Sequence, residues 1–275
     1  MYIWRKHVTP DWLRPRSEHL RARFGAALAI VERPGKRQTL LEVSCPTSGQ
    51  AHGLIRELGG SAERLERGWL RRFAKRAQTR PLRIGSRLTV RTTPDRRRRD
   101  DSTRTIIIPA EAAFGTGEHA TTALCLRLLE RHTRKHPPGW SMMDAGTGSG
   151  ILAIAARCLG AARVLAIDND PLACAIAKRN ARANGVRNIE FQTSDVLKLK
   201  LTGKFDIITA NLFSEIVITA LPVWFRRLAR GSLLILSGIL RSQEKAVVSA
   251  LRRNGFALQE VRRRGKWIAL LAVAA

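Results

Sequence analysis

The sequence lacks the features that mark secreted, membrane-spanning and metal-binding proteins. Its four cysteines form no Cys-x-x-Cys pair and its six histidines do not cluster, so we expect neither disulfides nor a metal site. No apolar run approaches the ~20 residues that span a bilayer, and Met1–His7 is not the apolar core of a signal peptide. These absences predict a cytoplasmic protein that makes no contact with a membrane.

Acidic residues are also scarce. The chain has 22 aspartates and glutamates against 49 lysines and arginines, which gives a formal net charge of +27. The excess is spread along the chain and is densest over Arg64–Arg104, which contains the run Arg96–Arg99. A field of this sign attracts polyanions such as nucleic acids. The alternative is that these arginines simply cover solvated faces, and the sequence leaves both interpretations open.

The pattern of apolar residues predicts three parts. Residues 1–66 show the order β-α-β-β-α of a small ferredoxin-like α+β domain. Residues 67–104 form a basic linker helix followed by a lead-in strand and loop, and residues 105–275 form the larger domain. From Thr121 onward helices and strands alternate, which is typical of a doubly wound, Rossmann-like parallel sheet. The later elements predicted there are strands near Phe205–Ala210, Ser232–Ser237 and Lys266–Val273 and helices over Leu221–Arg230 and Ser242–Asn254. The elements predicted in the small domain are a strand Tyr2–Val8, a helix Pro10–Phe24, a hairpin Ala27–Glu32 with Gln38–Ser44, and a helix Ser48–Leu58.

The most informative segment lies in the first part of the larger domain, where helices and strands alternate. An apolar run ends at Asp144, glycines follow at alternate positions (Gly146, Gly148 and Gly150), and the apolar-periodic run Ile151–Leu159 comes next. This predicts a buried strand, a tight turn and a helix, with glycines that let a ligand approach bare backbone. A second strand ends at Asp168, near the ~20 residues expected between a glycine turn and a ribose-binding acid. The segment therefore predicts a nucleoside-binding β-α-β unit.

The spacing and charge of this turn favour a particular nucleoside. The glycines lie closer together than in the dinucleotide fingerprint, and Asp144 would repel the phosphate groups that such a turn holds. An acid suits a ligand that carries positive charge or an amino group, such as S-adenosylmethionine with its sulfonium. We therefore expect this methyl donor as the cofactor, although a glycine turn that serves packing alone is the alternative.

Other side chains should meet at the carboxyl ends of the same strands. Asp168 can accept both ribose hydroxyls, or alternatively it only caps a helix. Asp195 follows the predicted strand Ile189–Thr193 and could accept from the adenine amino group. Asn211 follows the predicted strand Phe205–Ala210 and should lie beside the transferred methyl group.

The residues after Asn211 indicate the kind of acceptor. Enzymes that methylate planar amino groups carry an Asn-Pro-Pro-aromatic turn, whereas this chain has Leu212, Phe213 and Ser214 after the asparagine. Without the stacking aromatic, adenine or glutamine is disfavoured as acceptor. Asn211, as acceptor of amine hydrogens, and the adjacent Phe213 are the candidate catalytic residues. They suit an aliphatic amine such as lysine. The lysine amine has a pKa of ~10.4 in water and is therefore charged at neutral pH, so the site must favour its uncharged form.

A further segment, Phe114–Thr122, reads Phe-Gly-Thr-Gly-Glu-His-Ala-Thr-Thr and leads into a helix. As a glycine-rich loop it could close over a ligand, with Thr121 or Thr122 as a helix cap. With this loop, the glycine turn, the segment Asp168–Pro171 and the tail Leu236–Leu240, the chain resembles the ribosomal protein L11 methyltransferase family. Glu118 departs from the threonine often found at its position.

The resemblance implies a class I methyltransferase fold that binds S-adenosylmethionine and methylates amino groups of ribosomal protein L11. It implies cofactor contacts from Thr122, Gly146, Asp168 and Asn211, to which we add Asp144, Gly148, Gly150, Asp195, Phe114 and Thr116. The small domain would recognise the protein substrate, and its basic surface could contact ribosomal RNA. Two rivals stay open: methylation of another protein or of ribosomal RNA, and a non-catalytic RNA-binding protein on the same fold.

Overall fold

The structure is a computed structural model that describes residues 2–24, 27–32, 38–64, 81–93, 103–109, 119–198 and 203–275. The chain divides into two compact units, Met1–Lys75 and Arg76–Ala275. The described strands of the predicted linker belong to the larger unit, and the predicted domain bounds stay predictions. The predicted linker helix and the run Arg96–Arg99 lie outside the described residues.

The first unit contains a four-stranded antiparallel sheet in the order β2-β3-β1-β4. Its elements are β1 (Tyr2–Val8), α1 (Pro10–Leu13), α2 (Ser17–Phe24), β2 (Leu28–Glu32), β3 (Thr39–Cys45), α3 (Ser48–Leu58) and β4 (Ser61–Arg64). The single helix predicted from Pro10 to Phe24 is wrong, since a 3₁₀ turn over Arg14–Arg16 interrupts it where Pro15 has no N–H to donate. The sequence analysis also missed β4. The ferredoxin-like assignment stays a prediction.

The second unit contains a three-stranded sheet, β5-β6-β7, and a seven-stranded sheet. Its strands are β5 (Leu82–Ile84), β6 (Leu88–Arg91), β7 (Arg104–Ile107), β8 (Ser141–Ala145), β9 (Arg163–Asp168), β10 (Ile189–Thr193), β11 (Phe205–Asn211), β12 (Leu228–Leu240), β13 (Phe256–Arg264) and β14 (Trp267–Ala274). Its helices are α4 (Ala120–His132), α5 (Ile151–Cys158), α6 (Pro171–Ala183), α7 (Ser214–Arg226) and α8 (Glu244–Arg253). No helix of the described residues is long and apolar enough to cross a membrane.

The seven-stranded sheet has the order β10-β9-β8-β11-β12-β14-β13. The first five strands of this order pair in parallel, and β14 is antiparallel to both of its neighbours. This confirms the doubly wound α/β fold. The strand order changes direction between β8 and β11, which is the topological switch point where such sheets bind ligands at their carboxyl ends.

Two predicted elements near β12 are wrong. The helix expected over Leu221–Arg230 begins earlier, at Ser214, continues through Pro222 and ends at Arg226. The following strand starts at Leu228 rather than at Ser232, because Leu228 pairs with Phe205 on the neighbouring strand. The sequence analysis also did not predict β13, whose exposed residues lack the apolar pattern of a buried strand.

Both faces of the larger sheet are covered, as its parallel strands require. Successive residues of β8 and β11 point to opposite faces, so Met142 and Ile207 belong to one apolar core while Met143 and Ile208 belong to the other. The first core also holds the three-stranded sheet and much of α4 and α5. The second core holds α7 and α8, with the fully buried Trp224 among its largest side chains.

Candidate functional site

The glycine turn after β8 has a backbone that side chains rarely adopt. Gly146, Gly148 and Gly150 have φ angles of 75°, 55° and 81°, in the left-handed region that favours glycine. The N–H groups of Gly146 and Thr147 both donate to the carbonyl of Ile167, at 2.8 and 2.9 Å. The alternate glycines therefore bend the chain from β8 into α5 and fasten the turn to β9.

The missing side chains of two of these glycines make room for the protein itself. A Cβ on Gly146 would clash with Cδ2 of Leu212, and one on Gly150 would lie 2.9 Å from the Cβ of Ala177. The sequence predicted that the missing side chains make room for a ligand. At Gly146 and Gly150 the space is instead filled by Leu212 and Ala177. Contact between the turn and a ligand stays a prediction that depends on the backbone groups of the turn.

Asp168 lies directly beside this turn, at the carboxyl end of β9. Its Oδ2 accepts from the N–H of Gly148 at 2.8 Å, and its Oδ1 accepts from the N–H of Asp170 at 3.1 Å. Each carboxylate oxygen retains a lone pair for a further donor such as a hydroxyl. The helix-capping role that was the alternative for Asp168 belongs to Asp170, whose Oδ1 accepts from the N–H of Leu172 at the start of α6.

Asp144 is placed differently from the prediction of a direct ligand contact. Its side chain is buried, and its two oxygens accept from the hydroxyls of Thr209 and Thr147, both at 2.7 Å. Burial raises the pKa of Asp144 to about 6, although the two hydroxyls act in the opposite direction. The carboxylate therefore joins the glycine turn to β11 through these two hydrogen bonds. The sequence analysis missed Thr209, because a threonine inside a strand pattern carries no sign of such a bond.

Asn211 and Thr122, which the resemblance implied as two cofactor contacts, lie within hydrogen-bond distance of each other. The Asn211 side chain donates from Nδ2 to Oγ1 of Thr122 at 3.3 Å, which joins the end of β11 to the first turn of α4. The other side-chain atom, Oδ1, is buried and has no hydrogen-bond partner among the described residues. A buried acceptor without a partner costs free energy, so this oxygen is the clearest sign of a missing donor at the site.

His119 belongs to the segment Phe114–Thr122, but no role was predicted for it from the sequence. It precedes α4, and its Nδ1 lies 2.7 Å from Oγ1 of Thr121. Its ring stands edge-on to that of Trp267, with 5.1 Å between the centroids. Burial, and secondarily the charge of Lys266, lower the pKa of His119. The imidazole thus orders the start of the helix that carries Thr122.

The remaining predicted residues are less tightly placed. Asp195 follows β10, half-buried, and its Oδ1 accepts from the N–H of Leu197 at 2.9 Å. The N–H of Ser194 donates to the carbonyl of Asp168, so Asp195 lies near the ribose-binding candidate. Phe213 is 67% exposed at the start of α7. Phe114 and Thr116 lie outside the described residues.

No three His, Cys, Asp or Glu side chains group closely enough to hold a metal ion within the described ranges. The carboxyl ends of the parallel strands (the carboxyl edge) carry the glycine turn, the Asp168 carboxylate, which can accept further hydrogen bonds, and the buried Oδ1 of Asn211, which has no donor among the described residues. Together with the strand order, these features define the class I methyltransferase fold. A family model described as ribosomal protein L11 methyltransferase (PrmA) matches residues 50–275. The chain belongs to this family.

Relatives with the same description are similar over much of the chain. The chain is 42% identical over 192 residues to the ribosomal protein L11 methyltransferase of Pelotomaculum thermopropionicum, covering 70% of this chain and 61% of the relative. The corresponding protein of Symbiobacterium thermophilum is 38% identical over 225 residues, covering 80% and 72%. A crystal structure of ribosomal protein L11 methylase from Lactobacillus delbrueckii subsp. bulgaricus superimposes with a TM-score of 0.65 at 33% identity, covering 71% of this chain and 99% of that one.

The matches leave part of the curated relatives' length uncovered. The chain spans 61% of the length of the relatives from Pelotomaculum thermopropionicum and Syntrophotalea carbinolica. The fold and the family membership follow from the matched part.

Proposed function

We propose that this protein is an S-adenosylmethionine-dependent N-methyltransferase that modifies lysine or α-amino groups of ribosomal protein L11. The observation that carries the proposal is the buried Oδ1 of Asn211, which lacks a donor among the described residues. An amine acceptor supplies such a donor. Relatives 38–43% identical to this chain are named ribosomal protein L11 methyltransferase, and these names supply the proposed substrate.

The residues of the carboxyl edge fit this cofactor. Asp168 has acceptor capacity left for the ribose hydroxyls, and Asp195 stands next in the sheet for the adenine amino group. The glycine turn Gly146–Gly150 offers backbone groups without a phosphate-binding cation. When bound, S-adenosylmethionine supplies a methyl group on a positively charged sulfur.

Asn211 would position the acceptor amine. Thr122 holds the amide through Nδ2, which leaves Oδ1 to accept an N–H of the incoming amine. An amine brought into this partly buried place is desolvated, which favours its uncharged, nucleophilic form. Orientation of the reacting groups accounts for most of the rate in such a mechanism, so no strong general base is required of the chain. Phe213, exposed beside Asn211, would contact the aliphatic part of the acceptor.

The first unit, Met1–Lys75, would recognise the protein substrate, and the predicted role of residues 1–66 is retained in this form. The reaction would occur in the cytoplasm, where ribosomal proteins are made and where the four free cysteines of the chain stay reduced. Methylation of another protein is the nearest alternative, since the amine chemistry would be the same.

Incubation with methyl-labelled S-adenosylmethionine and purified L11 tests the proposal. Label should enter L11 with the wild-type protein and should fall by about a hundredfold with Asn211→Ala, because misplacing a reacting group costs rates of this order. Gln259→Ala on β13 is the matched control and should label L11 normally. Label in ribosomal RNA alone would support the RNA rival, and absence of donor binding would support the non-catalytic one.

A further inference from the structure

Exposed cations lie at one end of the parallel strands of the larger sheet. The carboxyl ends of these strands bear the acids Asp144, Asp168, Asp170 and Asp195. The amino ends bear exposed cations that the site does not use. These amino-edge cations are Arg163, Arg187, Lys204, Arg226 and Arg230.

The sheet topology sets the amino-edge cations in one row. Arg187 precedes β10, Arg163 is the first residue of β9, and Lys204 precedes β11. Arg226 ends α7 directly before β12, and Arg230 lies in the first residues of that strand. From β10 to β12 the sheet order takes four steps, so the row is about 20 Å long at ~4.8 Å per strand.

The amino-edge cations are not neutralised within the described part of the chain. None of the five forms an ion pair with a carboxylate of the described residues, and Arg163 instead stacks 5.5 Å from the ring centroid of Phe205. Asp206, an acid at the same edge, accepts from the N–H and hydroxyl of Ser141. A favourable interaction with a helix dipole explains only Arg226, in the last turn of α7.

A row of unpaired cations repels itself, and a polyanion relieves that repulsion. A row of this length can contact several successive phosphates of one nucleic-acid strand. We propose that the amino-edge cations bind the phosphate backbone of RNA on the side of the sheet opposite the candidate site. The choice of RNA over other polyanions rests on the proposed function, since ribosomal proteins are found with RNA. The position and charge of the amino-edge cations do not depend on the proposed function.

Fluorescence anisotropy with a labelled RNA duplex tests this proposal on the full chain. The test variant replaces three exposed cations that form no ion pair with the described residues: Arg187→Gln, Lys204→Gln and Arg230→Gln. The matched control removes three exposed cations that are not among the amino-edge cations: Arg56→Gln, Arg64→Gln and Lys245→Gln. Circular dichroism verifies folding, and if the triple variant does not fold, Lys204→Gln alone is measured.

The test variant should bind the RNA about tenfold to hundredfold more weakly, and its slope of log K against log salt should be smaller by about 2 to 3. For Lys204→Gln alone the slope should be smaller by about 1. The control should keep most of the affinity, and S-adenosylhomocysteine titrated into the RNA complex should bind as it does to the free protein. Equal losses in both triple variants, or displacement of RNA by S-adenosylhomocysteine, would overturn the proposal. Tighter binding to duplex DNA or to phosphatidylserine vesicles would overturn the choice of RNA.

These outcomes are independent of methyl transfer. If the chain binds RNA but never labels L11, the proposal that the amino-edge cations bind RNA stands, while the proposed function on which the choice of RNA was based fails. Labelling of L11 without RNA binding would support the proposed function and overturn the proposal that the amino-edge cations bind RNA.

Discussion

The side chain of Leu212 fills the space where a Cβ on Gly146 would stand. The residue after the candidate catalytic asparagine therefore packs directly on the glycine turn. Leu212 also contacts the second apolar core, and its N–H donates to the carbonyl of Ser237 at 3.0 Å. The position of Asn211 and the shape of the glycine turn are thus coupled through one side chain.

Gly146→Ala should destabilise the protein by about 1 to 3 kcal/mol more than Gly185→Ala. Both glycines have positive φ, 75° and 65°, so both variants carry backbone strain. Only at Gly146 does the new methyl group meet a neighbour, whereas Gly185 faces open space. Thermal unfolding measures the difference. Adding Leu212→Ala to Gly146→Ala should recover part of it, and equal destabilisation in the two single variants would contradict the clash.

Asp144 predicts a dependence of stability on pH. Its pKa rises from 3.8 to about 6 on folding because the carboxyl is buried, so the folded state binds more protons than the unfolded state between these values. The free energy of unfolding should therefore fall as the pH rises from about 4 to about 6, by up to about 3 kcal/mol from this residue. Below about pH 4 both states are protonated and the contribution is fully present.

Urea unfolding of Asp144→Asn across this pH range checks the sign. The variant should lose most of the pH dependence between about 4 and 6, while the exposed Asp11→Asn should behave like the wild type. A wild-type protein that gains stability over this range, with the gain removed in Asp144→Asn, would show that the carboxylate is stabilised as an anion.

Thr122→Val should impair catalysis without a matching loss of stability. Valine has a similar shape at this fully buried position, but it removes the oxygen that receives Asn211 Nδ2. The amide then loses its orientation, and we expect kcat to fall about tenfold or more with a smaller effect on KM. Thr219→Val, whose hydroxyl only donates to a carbonyl within α7, is the control. An unchanged kcat would exclude Thr122 as a positioning residue.

Glu130→Gln should weaken the attachment of the three-stranded sheet to α4. Glu130 is buried, pairs with Arg134 in the 3₁₀ turn after α4 and with Arg87 near β6, and fills the space beside Gly85. Removing its charge leaves the two cations uncompensated, at a cost of about 1 to 3 kcal/mol. Chemical denaturation measures this cost, and Glu190→Gln at an exposed position is the comparison. A cost of the same size for both would contradict the role of Glu130.

The sequence was most informative where local pattern and global fold agree. The turn Gly146–Gly150, the acid after the second strand and Asn211 at the end of β11 were all placed correctly along the chain, because apolar strand periodicity and glycine spacing are local signals. The hydrogen bond between Asn211 and Thr122 was not predicted, since the family resemblance implied only that each residue contacts the cofactor. Residues 89 positions apart meet through the order of strands, which spacing alone does not determine.

The errors have physical causes of the same kind. The direction of the Asp144 carboxylate depends on Thr209, on a neighbouring strand that sequence spacing does not reveal. The start of α7 was misplaced because Pro222 indicates a helix boundary, whereas here it lies inside the helix. β4 and β13 expose much of their surface and carry charged residues, so they lack the apolar runs from which strands are predicted.

Calorimetric titration with S-adenosylmethionine and S-adenosylhomocysteine tests the central claim most directly, namely that the carboxyl edge beside Asp168 is the cofactor site. Both nucleosides should bind the wild-type protein with one site per chain. Asp168→Ala should abolish measurable binding, while Asp170→Ala, which removes only a helix cap, should retain it. Absence of binding to the wild-type chain, or preferential binding of a pyrophosphate-containing dinucleotide, would contradict the account.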